Sequence, residues 1–289
     1  PDPTRVTLKN GIILYLVEDH RLPLISLRAR IGVGGINESA DKVGLAGITG
    51  AVMRSGGTET MSGDEIDEVL ESIGASIETG IGNASGSASM SLLKDNIDLG
   101  LSILADILMN PTFPEDKIEL QKVQERSSIA RRNDDPTNMG FREFSKLIYG
   151  AESVFARHTE YATLDAVTRD DLLAFHKAYY HPNNLMIGIW GDFDTGEIRK
   201  KIEAAFQTWE KTNFKRPKTP TVDYTFDNTV DFIRKEDINQ STVVLGHIGG
   251  LRNNPDYFAL QVMNDILSGG FSGRLMRHVR SDQGLAYAV

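Results

Sequence analysis

The chain has 289 residues, 40% of them hydrophobic, a formal charge of −9 and no cysteine. That length holds one large domain or two ordinary ones with a substantial core. The negative balance fits nonspecific nucleic-acid binding poorly, and the missing cysteines exclude disulfides, thiolate metal ligands and a cysteine nucleophile.

The opening VTLKNGIILYLVEDHRLPLISLRARIGVGG reads as two strands. Asn10-Gly11 makes a turn before the apolar run 12–17, and HRLP connects it to 24–31. The stretch 41–58, DKVGLAGITGAVMRSGGT, reads as a helix with Val43, Leu45, Ile48 and Val52 on one face. Gly47, Gly50 and Ala51 stand inside it, although an interior glycine costs a helix about 1 kcal/mol relative to alanine. SGDEIDEVLESIG is a capped helix, with Ser62 as N-cap, Glu65 placed for a capping box and Gly74 as the stop. ASIETGIGNASGSASMSLL alternates like a hairpin in a sheet. Helices are then expected over NIDLGLSILADILMNP, over 115–133 up to DDP, over 139–147, and over TRDDLLAFHKAYYHP opened by Thr168. NNLMIGIWGDF reads as a buried strand and GEIRKKIEAAFQTW as a helix.

Beyond it, EKTNFKRPKTPTVDYTF has the composition of a linker, and TVDFIRKE and QSTVVLGHIGG read as new strands. An internal repeat joins the two halves. Residues 34–57 and 249–270 each carry a double glycine after a strand, a polar turn, a helix and Ser-Gly-Gly. The expected organisation is therefore two related α/β units, the first over 1–215 and the second starting at 216 and stopping inside its own fold at 289.

No apolar run approaches the roughly 18–20 residues that cross a membrane. No signal-peptide pattern opens the chain. Because it starts at Pro1 rather than Met, an upstream segment is expected to have been removed, whether a signal peptide or an expression boundary. The periplasm or cell envelope is favoured over the cytoplasm.

The helix at 41–58 and the tail LSGGFSGRLMRHVRSDQGLAYAV resemble the insulinase and pitrilysin family, the inverzincins, in particular bacterial members similar to mitochondrial processing peptidase. The resemblance covers essentially the whole chain. It implies an α+β fold of two processing-peptidase-type units, each an antiparallel-rich mixed sheet packed with helices. Family members carry His-x-x-Glu-His between Gly-Leu-Ala and Gly-Thr. Here the flanks are Gly44-Leu45-Ala46 and Gly57-Thr58, and the motif slots fall on Gly47, Gly50 and Ala51. The family's third ligand, a later glutamate, aligns with Ser128, one turn from Glu125. Zinc needs imidazole or carboxylate donors, which these slots lack. The six histidines, His20, His158, His176, His181, His247 and His278, include no pair four residues apart. This chain is therefore expected to bind no cofactor and to lack activity alone.

The same resemblance gives Arg280 and Tyr287, seven residues apart, the roles of substrate-binding and oxyanion-stabilising groups that reach a partner's zinc site. Arginine is always charged and tyrosine carries an O–H donor, so both suit developing negative charge. GVGG at 32–35 lacks a dinucleotide-binding spacing, and SGGFSGR lacks the lysine of a phosphate loop. The reading is a non-zinc subunit of a composite metallopeptidase, paired with a zinc-bearing paralogue that takes a peptide substrate. The alternative is an inactive peptide-binding or scaffold protein.

Overall fold

A computed structural model describes residues 2–222 and 228–289. The chain divides into two units, Pro1–Val244 and Leu245–Val289.

The first unit opens with strands β1 (Thr4–Thr7), β2 (Ile13–Glu18) and β3 (Leu24–Ile31). The sequence suggested two strands here. Gly11, at φ +97°, lets the chain reverse at Asn10-Gly11, and Thr4–Thr7 pairs back on β2 as a short third strand. The Asn10 side-chain amide donates to the carbonyls of Phe206 and Trp209 at 3.2 and 3.3 Å, tying this turn to a segment close to two hundred residues later in the chain. Next come helices α1 (Leu45–Ser55) and α2 (Gly63–Ser72), strands β4 (Ser76–Ile81) and β5 (Gly86–Leu93), and helices α3 (Ile97–Met109), α4 (Glu115–Arg131) and α5 (Pro136–Tyr149). A short α6 (Tyr161–Asp165) precedes α7 (Arg169–Tyr179), strand β6 (Leu185–Gly191) and α8 (Thr195–Ala205).

The caps follow the local sequence. Ser62 and Glu65 form the reciprocal capping box of α2, and Gly74 leaves it at φ +61°. Thr168 and Asp171 do the same for α7. Helix α5 is longer than the sequence suggested, because Pro136 occupies its first turn while Asp135 accepts from Thr137 N and Asn138 N.

The six strands form one mixed sheet in the order β1-β2-β6-β3-β5-β4. Only β2 and β6 run parallel; the other pairs are antiparallel. Alternation puts Leu14, Leu16, Ile25, Leu27, Ala29, Ile31, Met90, Ile187 and Ile189 on one face, where they join a single core with the apolar sides of α1, α3 and α8. The other face carries the exposed Arg28, Arg30, Met186 and Trp190.

His176 of α7 is largely buried between Phe113 and Tyr180, and its Nε2–H donates to the Leu108 carbonyl at 3.0 Å. Burial pushes its pKa down to about 4 from an ordinary 6.5. A histidine held neutral in the folded state contributes stability that is complete above pH 6.5 and is lost as pH falls towards 4. The full shift corresponds to about 3 kcal/mol. His176→Gln, which keeps a donor for Leu108, should therefore show a smaller drop in urea stability between pH 7 and pH 4.5 than the parent chain. Parallel pH profiles would refute this.

The expected linker extends to Phe226, and its last residues, 223–226, lie outside the described residues. The stretches TVDFIRKE and QSTVVLGHIGG do not form strands, contrary to the sequence reading. Their alternation leaves Phe232 and Leu245 about nine-tenths exposed, and among the described residues no neighbouring strand pairs with them. A strand without a ladder partner has no way to satisfy its backbone or bury its apolar side. The second unit contains α9 (Tyr257–Ser268), expected from the repeat, and a π-helical segment Met276–Asp282.

Candidate functional site

Helix α1 is the element on which the zinc motif would stand. It begins at Gly44, whose φ of +110° suits glycine and whose missing side chain cannot cap. Glu38 supplies the cap from outside the helix. One carboxylate oxygen accepts from Ala46 N at 2.5 Å, and both accept from Gly44 N at 3.3 Å. Burial pushes the Glu38 pKa up, against the opposing pull of those amides. Leu45, Ile48, Val52 and Met53 bury the inner face of α1. Its flank lies on β4, the edge of the sheet. Arg54 Nε donates to the Ile77 carbonyl at 2.9 Å while its guanidinium pairs with Asp67, and Thr79 Oγ1 donates to the Gly50 carbonyl at 2.7 Å.

The motif slots occupy three different environments. Gly47 is exposed, and a Cβ built on it would meet nothing within 4 Å. Ala51 is half-buried. Gly50 is buried against β4, where a Cβ would strike Ile81 N and lie 2.7 Å from the Gly80 carbonyl carbon. Ser128 is exposed on α4, and Glu125 accepts from Gln121 Nε2 at 3.3 Å. These residues do not fit a zinc ion: two glycines and an alanine offer no donor, and the slot of the base has no room for a side chain. Among the described residues no group of three or more histidine and acidic side chains could hold a metal. His20 instead pairs with Asp192 at 2.7 Å, which holds its pKa up. Gly47→Ala should stabilise the chain by about 0.5–1 kcal/mol, because it adds helix propensity in open space. Urea denaturation would check this, and a loss of stability would contradict the helical environment of Gly47.

In the second unit the structure brings Arg280 and Tyr287 together. The Arg280 guanidinium lies 4.6 Å from the Tyr287 ring centroid and 5.0 Å from that of Phe271. At these distances the guanidinium makes a cation–π contact with each ring, which restrains its position. Arg280 belongs to the π-helical segment, a conformation often found at functional positions. Tyr287 is exposed and lies outside any strand. Sequence reading missed Phe271 as the second face of this stack, although it sits in the SGGFSGR stretch, and missed Glu38 as the cap of α1.

Residues 16–157 match the family model described as Insulinase (Peptidase family M16), and residues 166–289 match the one described as Peptidase M16 inactive domain. An uncharacterized zinc protease of Rickettsia bellii is 28% identical over 287 residues, covering 98% of this chain and 68% of the relative. The uncharacterized zinc protease YmxG of Bacillus subtilis is 26% identical over 290 residues, with shares of 99% and 68%. A crystal structure of a peptidase M16 inactive domain from Pseudomonas fluorescens is similar in fold, with a TM-score of 0.82 at 23% identity over 100% of this chain and 70% of that one. The periplasmic protease PqqL of Escherichia coli is similar with a TM-score of 0.63 at 19% identity, covering 75% of this chain and 25% of PqqL.

Proposed function

The chain belongs to the insulinase family of peptidases, M16, and on that premise we propose that it is the non-zinc subunit of a composite zinc metallopeptidase. The observation that carries this reading is the contrast between its two candidate sites. The zinc slots at Gly47, Gly50, Ala51 and Ser128 hold no adequate donors, yet Arg280 and Tyr287 keep the family spacing and meet as a stacked pair. A scaffold has no use for two oxyanion donors held together. In this reading the zinc and its base belong to a paralogous partner. Arg280 and Tyr287 bind the substrate carbonyl and stabilise the negative charge that develops on it. The chain past residue 215 then begins a second domain related to the first. The compartment we propose is the periplasm or cell envelope, the location named for the Escherichia coli neighbour.

The second reading is an inactive peptide-binding or scaffold protein. It is favoured by the tight seat of Gly50 on β4, which closes the slot of the catalytic base.

The test is co-expression of the complete protein with the zinc-motif paralogue from the same organism, purification through a tag on this subunit, and assay on a mixed fluorogenic peptide pool. The expected result is co-purification with zinc-dependent cleavage that neither subunit shows alone. Absence of both association and cleavage would overturn the composite-peptidase reading in favour of the second.

A further inference from the structure

The face of the sheet away from the helices carries an ordered set of unsatisfied groups. On β3, Arg28 and Arg30 are exposed on the side opposite the buried Leu27, Ala29 and Ile31. Neither guanidinium has a hydrogen bond or ion pair among the described residues. Strand register places Gly188 beside Arg28, Met186 beside Arg30, and Trp190 beside Ser26, two residues along β3 from Arg28. On the other side of β6, Tyr15 lies level with Gly188. A Cβ on Gly188 would meet only the Arg28 carbonyl, at 3.9 Å, so its strand position forms a notch between the tyrosine and the arginine. Trp190 is 46% exposed.

We propose that this open face binds an extended polypeptide segment in which an apolar side chain is followed, two and four residues on, by carboxylates. The proposal requires no zinc-bearing partner and is independent of the composite-peptidase reading. The spacing carries it. Arg28 and Arg30 stand one strand repeat apart, about 7 Å, which is the distance between alternate side chains of an extended peptide. A guanidinium fork pairs with a carboxylate through two parallel hydrogen bonds. Trp190 lies one further repeat along the face and supplies the apolar anchor, and tryptophan and arginine are the residue types that dominate recognition surfaces. The chain as a whole carries −9, so an unpaired basic pair on one face is local. Repulsion from the remaining charge is screened beyond about 8 Å at physiological salt. A long polyanion such as a nucleic acid would feel the whole negative surface, whereas a short acidic segment meets this face, where the exposed Arg5 of β1 and the exposed Glu78 of β4 lie in the same row as Arg28 and offset each other.

The test uses the 289-residue chain and fluorescein-labelled decapeptides. One has Leu, Glu and Glu at alternate positions separated by Ser; a second has Lys for each Glu; a third has Ser for Leu. By fluorescence anisotropy the first should bind about tenfold or more tightly than either of the others. Arg28→Gln with Arg30→Gln should remove that preference, and Arg28→Glu with Arg30→Glu should transfer it to the Lys peptide. Lys200→Ala, on α8 at the covered face, should leave it unchanged. Circular dichroism confirms that the variants are folded. Binding of the first peptide should also shift a tryptophan emission signal that Trp190→Phe abolishes. Equal affinity for all three peptides would overturn the proposal, as would tighter binding of a single-stranded oligonucleotide. So would sedimentation showing self-association that the double glutamate variant abolishes, since a second copy would then be the occupant.

Discussion

Gly50→Ala is expected to destabilise the chain by about 2 kcal/mol, even though alanine is the better helix former by about 1 kcal/mol. The new methyl group would strike Ile81 N and lie 2.7 Å from the Gly80 carbonyl carbon. These are backbone atoms of a paired strand, which cannot rotate away as a side chain can. Thr79 adds a constraint, because its hydroxyl holds the Gly50 carbonyl at 2.7 Å and pins helix and strand together at the point where they would have to part. The comparison with Gly47→Ala is internal to one helix, so propensity cancels and the difference in urea midpoint reports contact with β4. The same reasoning extends to restoring the metal motif. The triple change of Gly47→His, Gly50→Glu and Ala51→His should yield a chain of lower stability that holds less than stoichiometric zinc by elemental analysis. A triple variant that is stable and fully metallated would show that α1 can lift from β4 without cost, and would remove the argument from packing.

In the proposed complex with a zinc-bearing partner, Arg280→Ala should lower kcat by about 100- to 1,000-fold with little change in assembly, as expected when one donor to a developing oxyanion is lost. The structure provides the control. Tyr287→Phe keeps the ring that the Arg280 guanidinium covers at 4.6 Å and removes only the hydroxyl. Its loss of turnover therefore measures the O–H donor, with the stack intact. Arg280→Lys keeps the charge and loses the planar fork. Turnover in Arg280→Ala and Tyr287→Phe complexes equal to that of the parent complex would remove both residues from the site and leave their spacing as ancestry alone. Size-exclusion chromatography of the same preparations separates an assembly defect from a catalytic one.

What could be read in advance follows the range of the interactions involved. The capping box of α2 needs only Ser62, Glu65 and the stop at Gly74, all within thirteen residues of chain, and it forms as the sequence suggests. Pro136 was harder to read, because a proline can close one helix or open the next, and here Asp135 makes it the first turn of α5. The alternation around Phe232 and Leu245 is a genuine strand pattern, but a strand exists only where another lies beside it, and that is a property of the whole sheet. The candidate site divides in the same way. That Gly47, Gly50 and Ala51 lack donors is visible in their letters. That one glycine faces open space and the other a strand backbone depends on β4, thirty residues downstream. Glu38 caps α1 across eight residues, outside the spacing of any standard cap, so no local pattern announces it.

The small tether at Asn10 has a consequence for how the first unit opens. Its amide holds the first hairpin turn against the carbonyls of Phe206 and Trp209, 196 and 199 residues away in the chain. Proteins open in cooperative pieces, and this tether joins the beginning of the sheet to the segment that follows α8 in one such piece. Fraying of either stretch releases the other.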